Sequence, residues 1–115
     1  MIAAGDFDSM LVEALPELAA DRSAYERRRL EDPEFVQSLF SYSFVPTLQV
    51  AIDQNVEDFC VRAFAMIERL VYEGDPQVQA ILRDEFFDYG PVCEKWMKRA
   101  ESRMGPLTRK AATGK

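Results

Sequence analysis

Three carboxylates within five residues, Asp84, Glu85 and Asp88, are the side chains of this chain with the clearest spacing for chemistry. They lie in the stretch YEGDPQVQAILRDEFFDYGP, residues 72–91. A carboxylate forced into an apolar setting acquires the raised pKa of a general acid, and a group of three could hold a hard metal ion through oxygen. Neither reading finds company. The chain has no histidine, and it lacks a glycine-rich phosphate loop, a nucleophile-elbow serine and a ligand set for zinc. Catalysis is therefore not expected, and no cofactor or metal is assigned. Of the two cysteines, Cys60 falls inside an apolar helical stripe and reads as a small core residue. Cys93 falls in the first turn of a helix, where a thiol pKa drops, but it has no base beside it and reads as incidental.

The elements that carry these residues are helical. Asp6 or Asp8 can cap a first helix bearing Met10, Leu11, Leu15 and Leu18, which Pro16 splits or kinks. DRSAYERRRLED is helix-permissive, with Tyr25 and Leu30 as its few anchors. Pro33 opens a third helix with Phe35, Val36, Leu39 and Phe40 on one stripe that can extend to Phe44, and Pro46 ends or bends it before the short piece TLQVAIDQ. Asn55, with Asp58 three residues on, predicts the N-terminus of the clearest helix. That helix carries Val56, Phe59, Cys60, Ala63, Phe64, Ile67, Leu70 and Val71 at three- and four-residue spacing, and Gly74 ends it. Asp75 as N-cap, Pro76 at the first helical position and Gly90 as stop bound the next. A last helix runs from Pro91, with Val92, Trp96, Met97 and Ala100 on one side, to Gly105 and Pro106. No segment alternates as a strand. The fold class is all-α: one domain over residues 1–106, built from five or six short helices in an antiparallel, bundle-like arrangement, followed by a flexible basic tail over 107–115.

On a helix advancing about 100° per residue, Val78, Ile81, Leu82, Phe86 and Tyr89 share one face. Glu85 falls near the centre of that face and must be paired, for example with Arg69 or Lys98, partly hydrated at the helix end, or protonated. Phe87 points the opposite way. It is either the anchor of a binding surface, with Asp84, Asp88, Glu73 and Asp75 as an acidic surround, or a second core layer under the helix that holds Trp96.

At 115 residues, with 48% apolar and 30% charged side chains, the chain can bury ~65% of its unfolded surface around one core. The longest apolar runs fall far short of the ~20 residues that span a bilayer, and the start lacks the pattern of a signal peptide, which predicts a cytoplasmic protein without a membrane partner. The net charge of −6 is unevenly spread. Residues 1–90 carry 18 acidic and 7 basic side chains, and residues 91–115 carry 2 and 7, giving −11 and +5. The acidic body repels a phosphate backbone and attracts basic surfaces, so nucleic-acid binding through Lys95, Lys98, Arg99 and Arg103 is the weaker reading.

The chain also resembles a group of small bacterial helical proteins found among toxin-immunity and related loci. Gly74, Asp75 and Val78 match its helix junction, Phe86, Phe87 and Asp88 its closing triplet, Gly105, Pro106, Thr108 and Arg109 its terminal signature, and Leu15 to Leu18 its early Leu-Pro-Glu-Leu. Gly90 departs from it, because the group continues its helix there. The resemblance implies a non-enzymatic immunity protein that neutralises a cognate basic toxin by covering a surface, and it transfers no catalytic residue. A helical scaffold or regulatory adaptor for a cellular protein is the alternative.

Overall fold

In the computed structural model, residues 1–35, 38–87 and 99–113 are described. The helix α4 (Glu57–Glu73) organises them. It buries Phe59, Cys60, Ala63, Phe64, Met66, Ile67 and Leu70 along one broad arc, as its three- and four-residue apolar spacing requires. Around it pack α1 (Phe7–Ala14), α3 (Val45–Asp53), α5 (Pro76–Leu82) and α6 (Pro106–Thr113). The helix α2 (Ala19–Glu31) buries no residue and lies on the outside, entered through a tight turn at Pro16–Leu18 where the proline splits it from α1. The protein is all-α, and the described residues contain only one isolated strand-like pair, Ile2 beside Gly74.

Three of the expected boundaries differ, at Asn55, Pro46 and Pro33. Asn55 does not cap α4. It adopts a left-handed backbone (φ 56°) and closes α3 instead, with Asn55 N–H donating to Ile52 O (3.2 Å) and Val56 N–H to Ala51 O (2.9 Å). This pair of bonds satisfies the last carbonyls of α3, a role in which asparagine is second only to glycine. Pro46 does not end a helix. It sits in the first turn of α3, which continues without a break from a wide π-turn over Phe40–Phe44. There Val45 N–H reaches back five residues to Phe40 O, and this wider turn relieves the clash a proline ring makes with the carbonyl four residues earlier. Pro33 starts a turn rather than a helix. Leu30, expected as an anchor, is 87% exposed, whereas Tyr25 packs edge-on against Phe35 at 5.6 Å.

The junction of α4 and α5 follows the expected capping. Asp75 Oδ1 accepts from Val78 N–H at 2.9 Å, and Pro76 occupies the first turn. Gly74 is required by close approach, since a Cβ there would lie 2.6 Å from both Leu70 O and Val78 Cγ1. The same junction holds the start of the chain: Ile2 N–H donates to Glu73 O (2.7 Å) and Asp75 N–H donates to Ile2 O (2.8 Å).

Beyond Leu82 a second π-turn, Arg83–Phe87, changes which residues face inward. A turn closed five residues on advances each residue by roughly 80° rather than 100°, which swings Phe86 to the middle of the buried face and brings Glu85 and Phe87 to its two edges. Phe86 is fully buried, and its ring lies 6.1 to 6.4 Å from those of Phe40, Phe44 and Phe64. Glu85 and Phe87 are each half-buried. The central position expected for Glu85 therefore belongs to Phe86.

The basic end closes on the acidic body. Arg99 Nη1 meets Asp53 Oδ1 at 3.0 Å while its Nη2 donates to the carbonyls of Ile52 and Asp53, the C-terminal end of α3, where a cation is favoured. Arg103, whose side chain is only 12% exposed, pairs with Glu57 at 2.9 Å. The tail expected from Leu107 is helical as far as Thr113, with Thr108 fully buried. Its cap comes from α4: Glu68 accepts from Leu107 N–H, Thr108 N–H and Thr108 Oγ1–H. A sequence reading restricted to neighbours along the chain has no sight of a cap supplied from 39 residues away.

Phe86→Ala is expected to lower the unfolding free energy by about 3–5 kcal/mol, measured by urea denaturation, because it empties the point where four phenylalanines meet. A loss under about 1 kcal/mol would mean that the π-turn does not lock this ring into the core.

Candidate protein interface

The acidic residues expected around Phe87 are largely engaged inside the protein. Glu73 pairs with Arg69 one turn earlier at 2.8 Å, Asp75 caps α5, and Asp84 is bound by the adjacent Arg83 at 3.0 Å. Asp88 lies outside the described residues, as do Cys93, Trp96 and Lys98. Phe87 is half-buried, its ring set edge-on to Phe86 at 5.2 Å, so it packs against the core while keeping an exposed side. Arg69, the described candidate partner for Glu85, is given to Glu73 instead. Among the described residues no cluster of three or more Cys, Asp or Glu is placed to hold a metal ion. No described helix is long and apolar enough to cross a membrane.

What these contacts leave open on the outer face of α4, on either side of Glu68 and the α6 cap it holds, are Val61, Ala65 and Tyr72. At 100° per residue, Val61, Ala65 and Tyr72 fall within about 40° of one another, along about 16 Å of helix. Val61 is 55% exposed, Tyr72 is 77% exposed, and Ala65 between them is exposed. An apolar stripe on the solvent side of a helix whose other side is the core differs from an isolated surface leucine, because nothing in the folding of this domain requires it. Tyr72 is not among the candidate residues that the sequence offers. It falls next to the helix end at Gly74, where its apolar ring shows no period of its own.

A groove of about 360 Å³ runs beside the stripe, between α1 and α4. Met10, Ala14, Ala65 and Met66 supply its apolar surface, and Glu13, Arg62 and Arg69 its polar rim. Methionine suits such a floor because its flexible thioether adapts to different partner shapes. The groove walls are fixed by Arg62. Its guanidinium binds Glu17 in bidentate fashion (2.9 and 2.6 Å), bonds Asp58 (2.8 Å) and donates to Ala14 O (3.3 Å), so one side chain ties α4 to the end of α1 and to the turn after it. The hydrogen bonds from Arg62 hold the Glu17 carboxyl down to about 2, and the same partners raise Arg62 above its ordinary value.

The arrangement offers shape, apolar contact and fixed charge. It offers no aligned nucleophile and base. No curated protein matches the chain, and neither does any solved structure.

The lowered Glu17 value carries a sign. A carboxyl at about 2 in the folded state and near 4.5 ordinarily contributes stability that is fully present above pH 4.5 and is lost as pH falls toward 2. The denaturation midpoint of wild type should therefore exceed that of Glu17→Gln at neutral pH, with the gap narrowing below pH 4.5 and closing near pH 2. A gap independent of pH would show that Glu17 acts through something other than its charge on Arg62.

A family model described as a domain of unknown function, DUF7674, matches residues 9–114. The match takes in most of α1 and all of α2 to α6, with the groove and the stripe, and the chain belongs to this family.

Proposed function

We propose that this chain is a non-enzymatic protein-binding domain that receives its partner on the outer face of α4. The observation that carries the reading is the solvent-facing stripe Val61, Ala65 and Tyr72 beside the methionine-floored groove. Tyrosine is among the residues that most often dominate binding energy, and a valine or tyrosine side chain taken fully out of water contributes about 1.5–3 kcal/mol.

More finely, the partner is a basic protein, and the chain is a cytoplasmic bacterial immunity protein that neutralises a cognate toxin by covering a basic surface. The net charge of −6 supports this reading through long-range steering, which raises the rate of encounter more than the affinity. Nucleic-acid binding through the basic end loses support, because Arg99 and Arg103 are spent on Asp53 and Glu57. An adaptor role toward a cellular protein would use the same face.

The test is capture from the source organism by the immobilised chain, comparing wild type, Tyr72→Asp and Phe87→Ala. A partner held at one-to-one stoichiometry by wild type and Phe87→Ala, and weakened about 30-fold or more by Tyr72→Asp, is the expected outcome; 30-fold corresponds to about 2 kcal/mol. Loss with Phe87→Ala alone would move the interface to the end of α5. The immunity reading further requires that the captured protein be basic and that its activity fall in proportion to the chain added.

A further inference from the structure

The C-terminal helix α6 is held by polar contacts to an unusual degree. It has eight residues, well under the ~12–15 at which an isolated helix becomes even marginally stable in water, so its order depends on what it docks against. Among the described residues its extensive packing is on α4. Among its described side chains, Thr108 is fully buried and Ala112 rests against the core, whereas Leu107 is 37% exposed. Two small side chains remove little apolar surface from water compared with the seven residues that α4 buries.

The N-terminus of α6 is correspondingly well served. Pro106 has no N–H to satisfy, Leu107 and Thr108 both donate to the Glu68 carboxylate (3.0 and 2.7 Å), and Arg109 N–H donates to Gly105 O (3.0 Å). Thr108 Oγ1 adds a third bond to Glu68 at 2.8 Å. A negative charge at this end is favoured by the helix dipole as well. Gly105 is what lets the carboxylate in, since a Cβ there would lie 2.4 Å from Glu68 Cδ. Partial burial pushes the Glu68 carboxyl up, and the bonds from Leu107 and Thr108, with the nearby Arg109 charge, outweigh it and hold the group below the usual range.

We propose that α6 is a latch that opens and closes on α4 as a unit while the rest of the domain stays folded, and that the Glu68 carboxylate is its catch. Elements with few buried apolar contacts open locally at a fraction of the cost of global unfolding, and here three of the hydrogen bonds that hold the start of α6 converge on one carboxylate. The hinge is the short turn over 102–105, where Arg109 donates to Glu101 O and Met104 O when the latch is closed. A second groove, about 550 Å³, lies along this flank, with Val61, Ala65 and Glu68 among its lining and Met104 opposite. Val61 and Ala65 belong also to the stripe, so opening the latch frees the Glu68 side of the proposed partner face. That last consequence rests on the α4 interface reading, whereas the latch itself does not.

The experiment is amide hydrogen exchange read by mass spectrometry on the full chain near neutral pH, without any partner, for wild type, Glu68→Gln and Gly105→Ala. Glu68→Gln removes the charge, and Gly105→Ala crowds the same carboxylate while keeping it. In both variants, peptides covering 107–113 should exchange at least about 10-fold faster than in wild type, with α1 and α4 protection unchanged. Unchanged exchange over 107–113 in both would overturn Glu68 as the catch. Equal loss of protection in α4 would make α6 part of the global core and overturn the latch. Because no partner is present, either result leaves the α4 interface reading to be judged separately by the Tyr72→Asp comparison.

Discussion

Everything in this structure leans on the burial of α4. Seven of its seventeen residues are buried, and α1, α3, α5 and α6 all pack on it. A helix can present only so much of its circumference to a core before apolar residues begin to meet water. Here the limit is passed. Val61 and Tyr72 lie beyond the arc that the neighbouring helices cover, and the domain has no further described element to place over them. The same crowding explains the two glycines that permit close approach, Gly74 where α5 leaves α4 and Gly105 where α6 returns to it.

Charge serves closure before it serves recognition. The chain divides into an acidic body and a basic end, and read along the sequence this resembles two surfaces for two partners. In space they meet. Arg99 and Arg103 reach Asp53 and Glu57 across 46 residues, and Glu68 caps the last helix. An exposed pair such as Arg99 with Asp53 contributes little, about 0–1 kcal/mol, but together these contacts set the register in which the C-terminal segment docks. The long-range field that remains is acidic, while the α4 face itself is locally balanced by Arg62 with Glu17 and Asp58, and by Arg69 with Glu73. Such a surface would gain its partner's approach from the net charge and its hold from apolar contact.

Legibility followed the range of the physics involved. The all-α class, the α4 stripe, the split at Pro16 and the Asp75–Pro76 start of α5 depend on residues within a turn of one another, and their periodicity and capping chemistry were sufficient. Asn55 was misassigned because an asparagine midway between two helices, two residues past Asp53 and two before Glu57, satisfies both capping patterns, and only its backbone angle decides between them. The π-turns defeated arithmetic at 100° per residue, which exchanged the places of Glu85 and Phe86 and overstated how far Phe87 points outward. Helix α6 was read as a flexible tail because its cap, Glu68, lies on another helix. Tyr72 as a site was illegible for a related reason: only the packing of the other helices reveals which side of α4 remains uncovered.

The central claim is that the uncovered side of α4 is the partner face. Side-chain footprinting of the chain alone and with its captured partner, by hydroxyl-radical oxidation, addresses it most directly, because Tyr72, Met10 and Met66 are themselves reactive reporters of the stripe and its groove. The account predicts that Tyr72 and Met10 lose most of their labelling in the complex while Tyr42, which is 57% exposed on the π-turn before α3, keeps its own. Unaltered labelling of Tyr72 in a complex that protects Phe87 or Tyr42 would contradict it.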